Sequence, residues 1–111
     1  MNLKDSIQAN SNEFLSLCKS HDVKTLYAFG SSTNDQFKEE SSDIDLLVEL
    51  DTKDPIKRGE NLLDLWDKFE KFFQRKVDLL TNGSIRNPIL RKSIDSSKVL
   101  IYDAKEQKVS F

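Results

Sequence analysis

The sequence predicts an α/β layer in which helices pack against one small mixed sheet. Helix-like and strand-like segments alternate along the chain, which is the pattern of such layers. The 111 residues provide one hydrophobic core and are too few for two domains. The sequence contains no internal repeat, low-complexity tract or linker-like stretch. We therefore expect a single domain over residues 1–111, with a loose charged tail at 104–111.

The first part of the chain predicts a helix, a strand and a polar segment. Apolar residues near helical spacing favour a helix over residues 3–20, although the polar stretch QANSN interrupts it. The run LYAF is stopped by Gly30, which indicates a buried strand that ends in a turn. Residues 31–42 are polar, and the Ser31–Ser32 pair is suited to cap a short helix there.

The remaining elements follow from alternation, helical spacing and capping residues. The stretch DIDLLVEL, residues 43–50, predicts a strand with Ile44 on one face and both aspartates on the other. Apolar and aromatic residues at helical spacing predict an amphipathic core helix that begins near Pro55. KVDLLT predicts a third strand, Asn87–Pro88 opens a short helix, and KVLIYD predicts a final strand.

Composition excludes several classes of protein. Lys and Arg number 17 against 19 Asp and Glu, so binding of nucleic acid through bulk positive charge is disfavoured. Cys18 is the only cysteine, which excludes an intrachain disulfide and a cysteine-based zinc cluster. His21, the only histidine, is assigned to a helix end rather than to catalysis. No apolar stretch approaches the roughly 20 residues of a membrane span, and we expect a cytoplasmic protein.

Two aspartates at the start of the second strand suggest a metal site. Asp43 and Asp45 lie two residues apart, so a strand projects both carboxylates to the same face. Two carboxylates so close repel unless water, a proton or a cation intervenes. Mg²⁺ is held in proteins by one or two carboxylates together with water and phosphate oxygens. The pair therefore favours a site that presents Mg²⁺ to a nucleotide.

Two further segments strengthen this interpretation. Gly30 allows close approach of the backbone, and Ser31 at a helix start provides a hydroxyl and free amides for phosphate. A third carboxylate is expected where two metal ions flank a displacement at phosphorus. Asp78 in KVDLLT fits, because its strand is able to pair beside the strand at 43–50. We expect these residues to meet at one end of the sheet.

The segments FGSS, SDIDLLVEL and KVDLLT, within residues 24–81, together resemble the minimal nucleotidyltransferases of the DNA polymerase beta superfamily. That family carries an apolar strand, Gly-Ser, an intervening segment, Asp-x-Asp and a later Asp on a neighbouring strand. The resemblance implies the polymerase beta-like fold and transfer of a nucleoside monophosphate, AMP from ATP, to a hydroxyl with release of pyrophosphate. It assigns phosphate binding to Gly30, Ser31 and Ser32, and catalysis and Mg²⁺ ligation to Asp43, Asp45 and Asp78.

The resemblance also implies a partner. Minimal nucleotidyltransferases often act on a small helical HEPN toxin, which they neutralise by AMPylation of a tyrosine. The present chain shows no acceptor-holding domain, so we expect an antitoxin that modifies a HEPN-type partner. A phosphoacceptor receiver domain fits poorly, because it requires an acid where the first strand ends in Gly30.

One departure from the family keeps an alternative open. The family often follows Gly-Ser with a run containing arginines, whereas residues 32–35 here read Ser-Thr-Asn-Asp. The replacement cation is sought among Lys38, Arg58, Arg91 and Lys92. The alternative function is a catalytically weakened binding module that neutralises its partner by masking it.

Overall fold

The structure is a computed structural model, and it describes residues 3–29, 43–106 and 108–109. The helices within these residues are α1 (Leu3–Ala9), α2 (Ser11–Ser20), α3 (Pro55–Phe73) and α4 (Pro88–Ser97). The strands are β1 (Val23–Phe29), β2 (Ile44–Leu50), β3 (Val77–Thr81), β4 (Val99–Asp103) and β5 (Lys108–Val109). A 3₁₀ turn, Asn82–Ser84, follows β3.

The strands form one mixed sheet in the order β3-β2-β1-β4-β5. β2 and β3 are parallel, whereas β1 pairs antiparallel with both β2 and β4. The prediction that the KVDLLT strand pairs beside the strand at 43–50 is therefore confirmed, as is the mixed sheet.

The N-terminal helical region differs from the prediction of one helix over residues 3–20. It is divided at Asn10, whose backbone (φ −135°, ψ 48°) is not helical. Asn is a poor interior helix residue because its side chain competes with the backbone for hydrogen bonds. The break lets α1 bury Leu3 and Ile7 while α2 separately buries Phe14 and Cys18. Cys18 is fully buried in the main core.

The tail is less loose than the sequence suggests. A turn closed by the amide of Glu106 donating to the carbonyl of Asp103 reverses the chain after β4. Val109 then pairs with Tyr102, so β4 is not the final strand and β5 covers its edge. An open strand edge leaves backbone donors and acceptors without partners, which favours such pairing. The expectation of a loose tail is therefore wrong for Lys108–Val109.

Helices α1, α2 and α3 cover one face of the sheet and form the main core. Phe14 of α2 stacks on Phe69 of α3 with ring centroids 5.7 Å apart, and Phe73 packs against both. These rings lie over the buried side chains Leu26 of β1 and Leu46 of β2. The prediction that the aromatic residues of α3 belong to the core is thus confirmed for Phe69 and Phe73.

The opposite face of the sheet is covered by α4 and the segment before it. Phe29, Leu47, Ile85 and Ile94 form a second, smaller apolar cluster there. The predicted cap of α4 is confirmed, because the Asn87 side chain accepts from the amide of Ile89 at 2.9 Å. Across the described part of the chain, every helix is too short or too polar to span a bilayer.

Candidate active site

The predicted acidic residues meet where β2 and β3 begin side by side. The parallel register pairs Ile44 with Val77 and Asp45 with Asp78. Asp43 is exposed and immediately precedes β2, and Asp78 is exposed on β3. Adjacent strands lie about 4.8 Å apart, so carboxylates from both strands face one small region. We call Asp43, Asp45 and Asp78 the acid corner.

Helix α3 fixes the start of β3 through the backbone of Val77. The indole Nε1 of Trp66 donates to the Val77 carbonyl at 2.6 Å, and the Val77 amide donates to Glu70 Oε2 at 3.0 Å. Trp66 and Glu70 lie one turn apart on α3, so a single helix holds both backbone polar groups of Val77. Asp78 is the next residue, and its position is therefore set by this clamp.

Strand β1 ends at the acid corner. Phe29, its last residue, pairs with Asp45 across the β1–β2 ladder. The chain therefore leaves β1 beside the carboxylates and continues to Gly30, which suits the predicted phosphate contacts. Gly30, Ser31 and Ser32 themselves lie outside the described residues, so their role stays a prediction.

The acid corner is electrostatically unfavourable as it stands. Partial burial, together with the neighbouring carboxylates of Asp78 and Asp43, raises the pKa of Asp45 to about 6. A cation relieves this repulsion, and the all-oxygen donor set suits Mg²⁺. Within the described ranges no three acidic, histidine or cysteine side chains form a ready metal cluster. Mg²⁺ fits such an open corner, because it keeps several ligands for water and phosphate.

Two of the cations proposed from the sequence to replace the missing arginines lie elsewhere. The Arg58 guanidinium donates to the Thr52 carbonyl and lines a cavity of about 410 Å³ that also contacts Leu50. Leu50 is at the far end of β2, about 16 Å along the strand from Asp45.

Arg91 is also held away from the acid corner. Its Nη2 donates to the Asn82 carbonyl at 2.7 Å. Asn82 follows the end of β3 and lies about 13 Å along the chain from Asp78. Lys92 is an exposed residue of α4, and Lys38 lies outside the described residues. The structure therefore does not bring Arg58 or Arg91 to the acid corner, because hydrogen bonds hold both beside the opposite ends of β2 and β3.

The sequence interpretation overlooked Lys76. The Ile44 amide donates to the Lys76 carbonyl at 3.0 Å, which extends the β2–β3 ladder one step before β3. The signal was present in the sequence, because alternation in Lys-Val-Asp puts Lys76 on the same face as Asp78.

His21 has the structural role predicted for it. It is the C-cap residue of α2 and is buried. Its Nδ1 lies 2.8 Å from the Leu17 carbonyl and its Nε2 lies 2.6 Å from Asp64 Oδ2. The Leu17 carbonyl and the Asp64 carboxylate are hydrogen-bond acceptors, and the Ser20 hydroxyl lies 3.0 Å from Nδ1 as well. The bond from His21 lowers the pKa of Asp64, and nearby Lys68 lowers it further.

Comparison with known proteins identifies the family of this fold and site. The family model described as "Polymerase beta, Nucleotidyltransferase" matches residues 12–107. The chain is 39% identical over 79 residues to "Putative protein adenylyltransferase MJ1379" of Methanocaldococcus jannaschii, a match that covers 71% of this chain and 77% of the relative.

Solved structures show the same fold. One described as a "putative minimal nucleotidyltransferase" superposes with a TM-score of 0.62 and 26% identity, over 89% of this chain and 95% of that chain. Another contains a tri-AMPylated Shewanella oneidensis HEPN toxin in complex with an MNT antitoxin, where MNT denotes a minimal nucleotidyltransferase. It has a TM-score of 0.51 and 24% identity, over 89% of this chain and 74% of that chain.

The family match covers most of the chain, the solved structures share its fold, and Asp43, Asp45 and Asp78 lie together at one end of the sheet. The chain belongs to the polymerase beta nucleotidyltransferase family, and its structural neighbours are minimal nucleotidyltransferases, including antitoxins paired with HEPN toxins.

Proposed function

We propose that this protein transfers AMP from ATP to a hydroxyl of a partner protein in a Mg²⁺-dependent reaction. The partner is a HEPN-type toxin, and the present chain acts as its antitoxin. The relative in Methanocaldococcus jannaschii whose name describes protein adenylyl transfer supports the reaction class. The AMPylated HEPN toxin seen with an MNT antitoxin supports the choice of acceptor.

One observation carries the proposal: the register that places Asp45 directly beside Asp78, with Asp43 at the start of the same strand. In this proposal Asp43 and Asp45 hold Mg²⁺, which neutralises charge on the triphosphate when it is bound. Asp78 is a further ligand and accepts the proton of the attacking hydroxyl at its carboxylate. The raised pKa of Asp45, caused by burial and by the two other acids, is consistent with a site completed by a cation.

The proposed reaction balances as a displacement at the α-phosphorus. The oxygen of the partner's hydroxyl forms a bond to that phosphorus, and the bond between the phosphorus and the bridging α,β-oxygen breaks. Pyrophosphate leaves, and the partner keeps AMP. Gly30, Ser31 and Ser32 are proposed to contact the phosphates, because β1 delivers the chain to the acid corner immediately before them.

The test is a transfer assay with the chain and its co-purified partner. ATP labelled at the α or the γ phosphate is incubated with Mg²⁺ and with wild-type protein, the Asp43→Asn/Asp45→Asn variant, or Asp67→Asn. Asp67 is a suitable matched control, because it is an exposed acid of α3 paired with Lys71 at 3.0 Å. We expect label on the partner from α-labelled ATP only, with wild-type and Asp67→Asn but not with the double variant.

The opposite results discriminate between the functions. Label from γ-labelled ATP would indicate phosphoryl transfer and would contradict the proposal. Absence of label from wild-type protein, with the partner still bound and inhibited, would favour the binding module that masks its partner.

A further inference from the structure

Lys76 occupies the same position before β3 that Asp43 occupies before β2. Ile44 pairs with Val77, and Asp45 pairs with Asp78. The same register, extended to the residue before each of Ile44 and Val77, puts Lys76 opposite Asp43. The hydrogen bond from the Ile44 amide to the Lys76 carbonyl shows that this step of the ladder is formed. Neighbouring strands are separated by about 4.8 Å, so Lys76 lies at the edge of the acid corner.

Alternation of exposure places the Lys76 side chain on the acidic face of the sheet. Lys76 and Asp78 are exposed, whereas Val77 and Leu79 are buried in the main core on the other face. In a strand, residues two apart share a face. The starts of β2 and β3 thus bring together four neighbouring residues that carry three carboxylates and one ammonium group.

Several other cations of the described chain are engaged elsewhere. The described lysine pairs are Lys24 with Glu49, Lys68 with Asp64, Lys71 with Asp67 and Lys98 with Asp95. Arg58 and Arg91 donate to backbone carbonyls at the far ends of β2 and β3. Among the ion pairs found in residues 3–29 and 43–106, none involves Lys76.

A triphosphate that approaches the acid corner adds negative charge to a region already crowded with carboxylates. A bound metal ion offsets part of that charge, and an ammonium beside Asp43 offsets more. Lysine provides a compact charge with three donors, which suits phosphate oxygens. We infer that Lys76 is a substrate-binding residue whose ammonium contacts the β- or γ-phosphate of the nucleotide, an assignment that rests on the proposed function.

The test compares a triphosphate with a monophosphate. Mg²⁺ with AMP-PNP, a non-hydrolysable ATP analogue, and separately AMP, are titrated into the full chain by calorimetry. The variants are Lys76→Gln, Lys76→Arg and the control Lys4→Gln, which removes the same charge from α1 across the sheet. We expect Lys76→Gln to weaken AMP-PNP binding about tenfold and AMP binding less than about twofold, because AMP lacks the outer phosphates.

The other two variants distinguish a role of Lys76 in nucleotide binding from a structural role. Lys76→Arg keeps the charge and is expected to retain most of the AMP-PNP affinity, and Lys4→Gln is expected to match wild type. Unchanged AMP-PNP binding by Lys76→Gln, or an equal loss for AMP-PNP and AMP, would overturn the inference. If the wild-type chain does not bind AMP-PNP, the proposed function fails and this assignment fails with it.

Discussion

Asp45 and Asp64 are the same residue type in opposite electrostatic environments. Asp64 on α3 accepts from His21 and from Lys68, and these partners lower its pKa. Asp45 on β2 is half-buried beside two further carboxylates, and burial with that repulsion raises its pKa to about 6. The first carboxylate lies beside hydrogen-bond donors, whereas the second lies beside carboxylates of like charge.

The difference distinguishes a structural acid from a functional one. The His21–Asp64 contact joins the end of α2 to α3 beside the main core, and its groups satisfy one another. The acid corner lies at the starts of β2 and β3, where a ligand has access. Like charges lie together there, which lowers stability and is typical of a functional site. Substitutions in the acid corner should therefore change function, whereas substitutions at the His21–Asp64 contact should change stability.

The largest expected effect is on transfer, from Asp78→Asn. The variant keeps the shape of the side chain but removes the carboxylate proposed to activate the hydroxyl. We expect the rate of AMP transfer to the partner to fall at least about 10²-fold. Unfolding by urea should show a stability equal to or above that of wild type. Full transfer activity in this variant would contradict the role of Asp78.

The next effect is on stability, from His21→Ala. This change removes a buried ring and both of its hydrogen bonds, and it leaves Asp64 without its His21 partner. We expect a loss of about 2 to 3 kcal/mol in the free energy of unfolding, measured with urea. Below the melting transition the affinity for Mg²⁺ with AMP-PNP should stay at the wild-type value. A selective loss of nucleotide affinity would mean that the two regions are not separate.

A smaller effect of opposite sign is expected from Asp45→Asn in the metal-free protein. Above pH 6 the folded carboxylate is charged and repelled, so its removal should stabilise the chain by about 1 kcal/mol once screening by solvent is allowed for. This corresponds to a rise of about 4 to 8 °C in melting temperature.

The pH dependence of that gain follows from the direction of the pKa shift. The folded pKa, about 6, exceeds the ordinary value of 3.8 for this side chain, which is expected in the unfolded chain. Below both values Asp45 is protonated in each state, and no penalty exists. As pH rises from about 4 to 6 the wild-type chain loses stability through this group, and the loss is complete above the folded pKa. Urea unfolding of both proteins in EDTA should show a difference at pH 7.5 that disappears near pH 3.5.

The smallest effect is expected from Asp67→Asn. Its partner Lys71 is an exposed neighbour one turn along α3, and such pairs contribute about 0.5 kcal/mol or less. Thermal melting at low and high salt should show a difference that is small and decreases with salt. If Asp67→Asn lowered stability as much as His21→Ala does, exposure would not explain the difference between the Asp67–Lys71 and His21–Asp64 contacts.

Local sequence patterns predicted the elements and the acidic face well. Alternation placed Asp43 and Asp45 on one face, and Pro55 and Asn87 mark where α3 and α4 begin. These features depend on residues close in the sequence, which propensity and periodicity describe. The pairing of β3 beside β2 joins distant residues, and it was predicted from the need for a third carboxylate.

Other features that depend on contacts between residues far apart in the sequence were not predicted. The break at Asn10 depends on how α1 and α2 each bury their apolar side chains against the sheet. The short β5 forms by pairing with the edge of β4. The positions of Arg58 and Arg91 depend on where the helices that carry them lie relative to the strands. Lys76 was overlooked because its significance arises only when β3 is aligned with β2.

The central claim, that the acid corner is kept for a metal-bound nucleotide, is tested most directly by four melting temperatures. Wild-type protein and Asp45→Asn are melted at pH 7.5 in EDTA and again with Mg²⁺ and AMP-PNP. A ligand that binds only the folded state raises its stability in proportion to the logarithm of ligand concentration over Kd. We predict a reversal: Asp45→Asn melts higher when empty, and wild type melts higher with ligand. Equal stabilisation of both proteins by the ligand would contradict the claim.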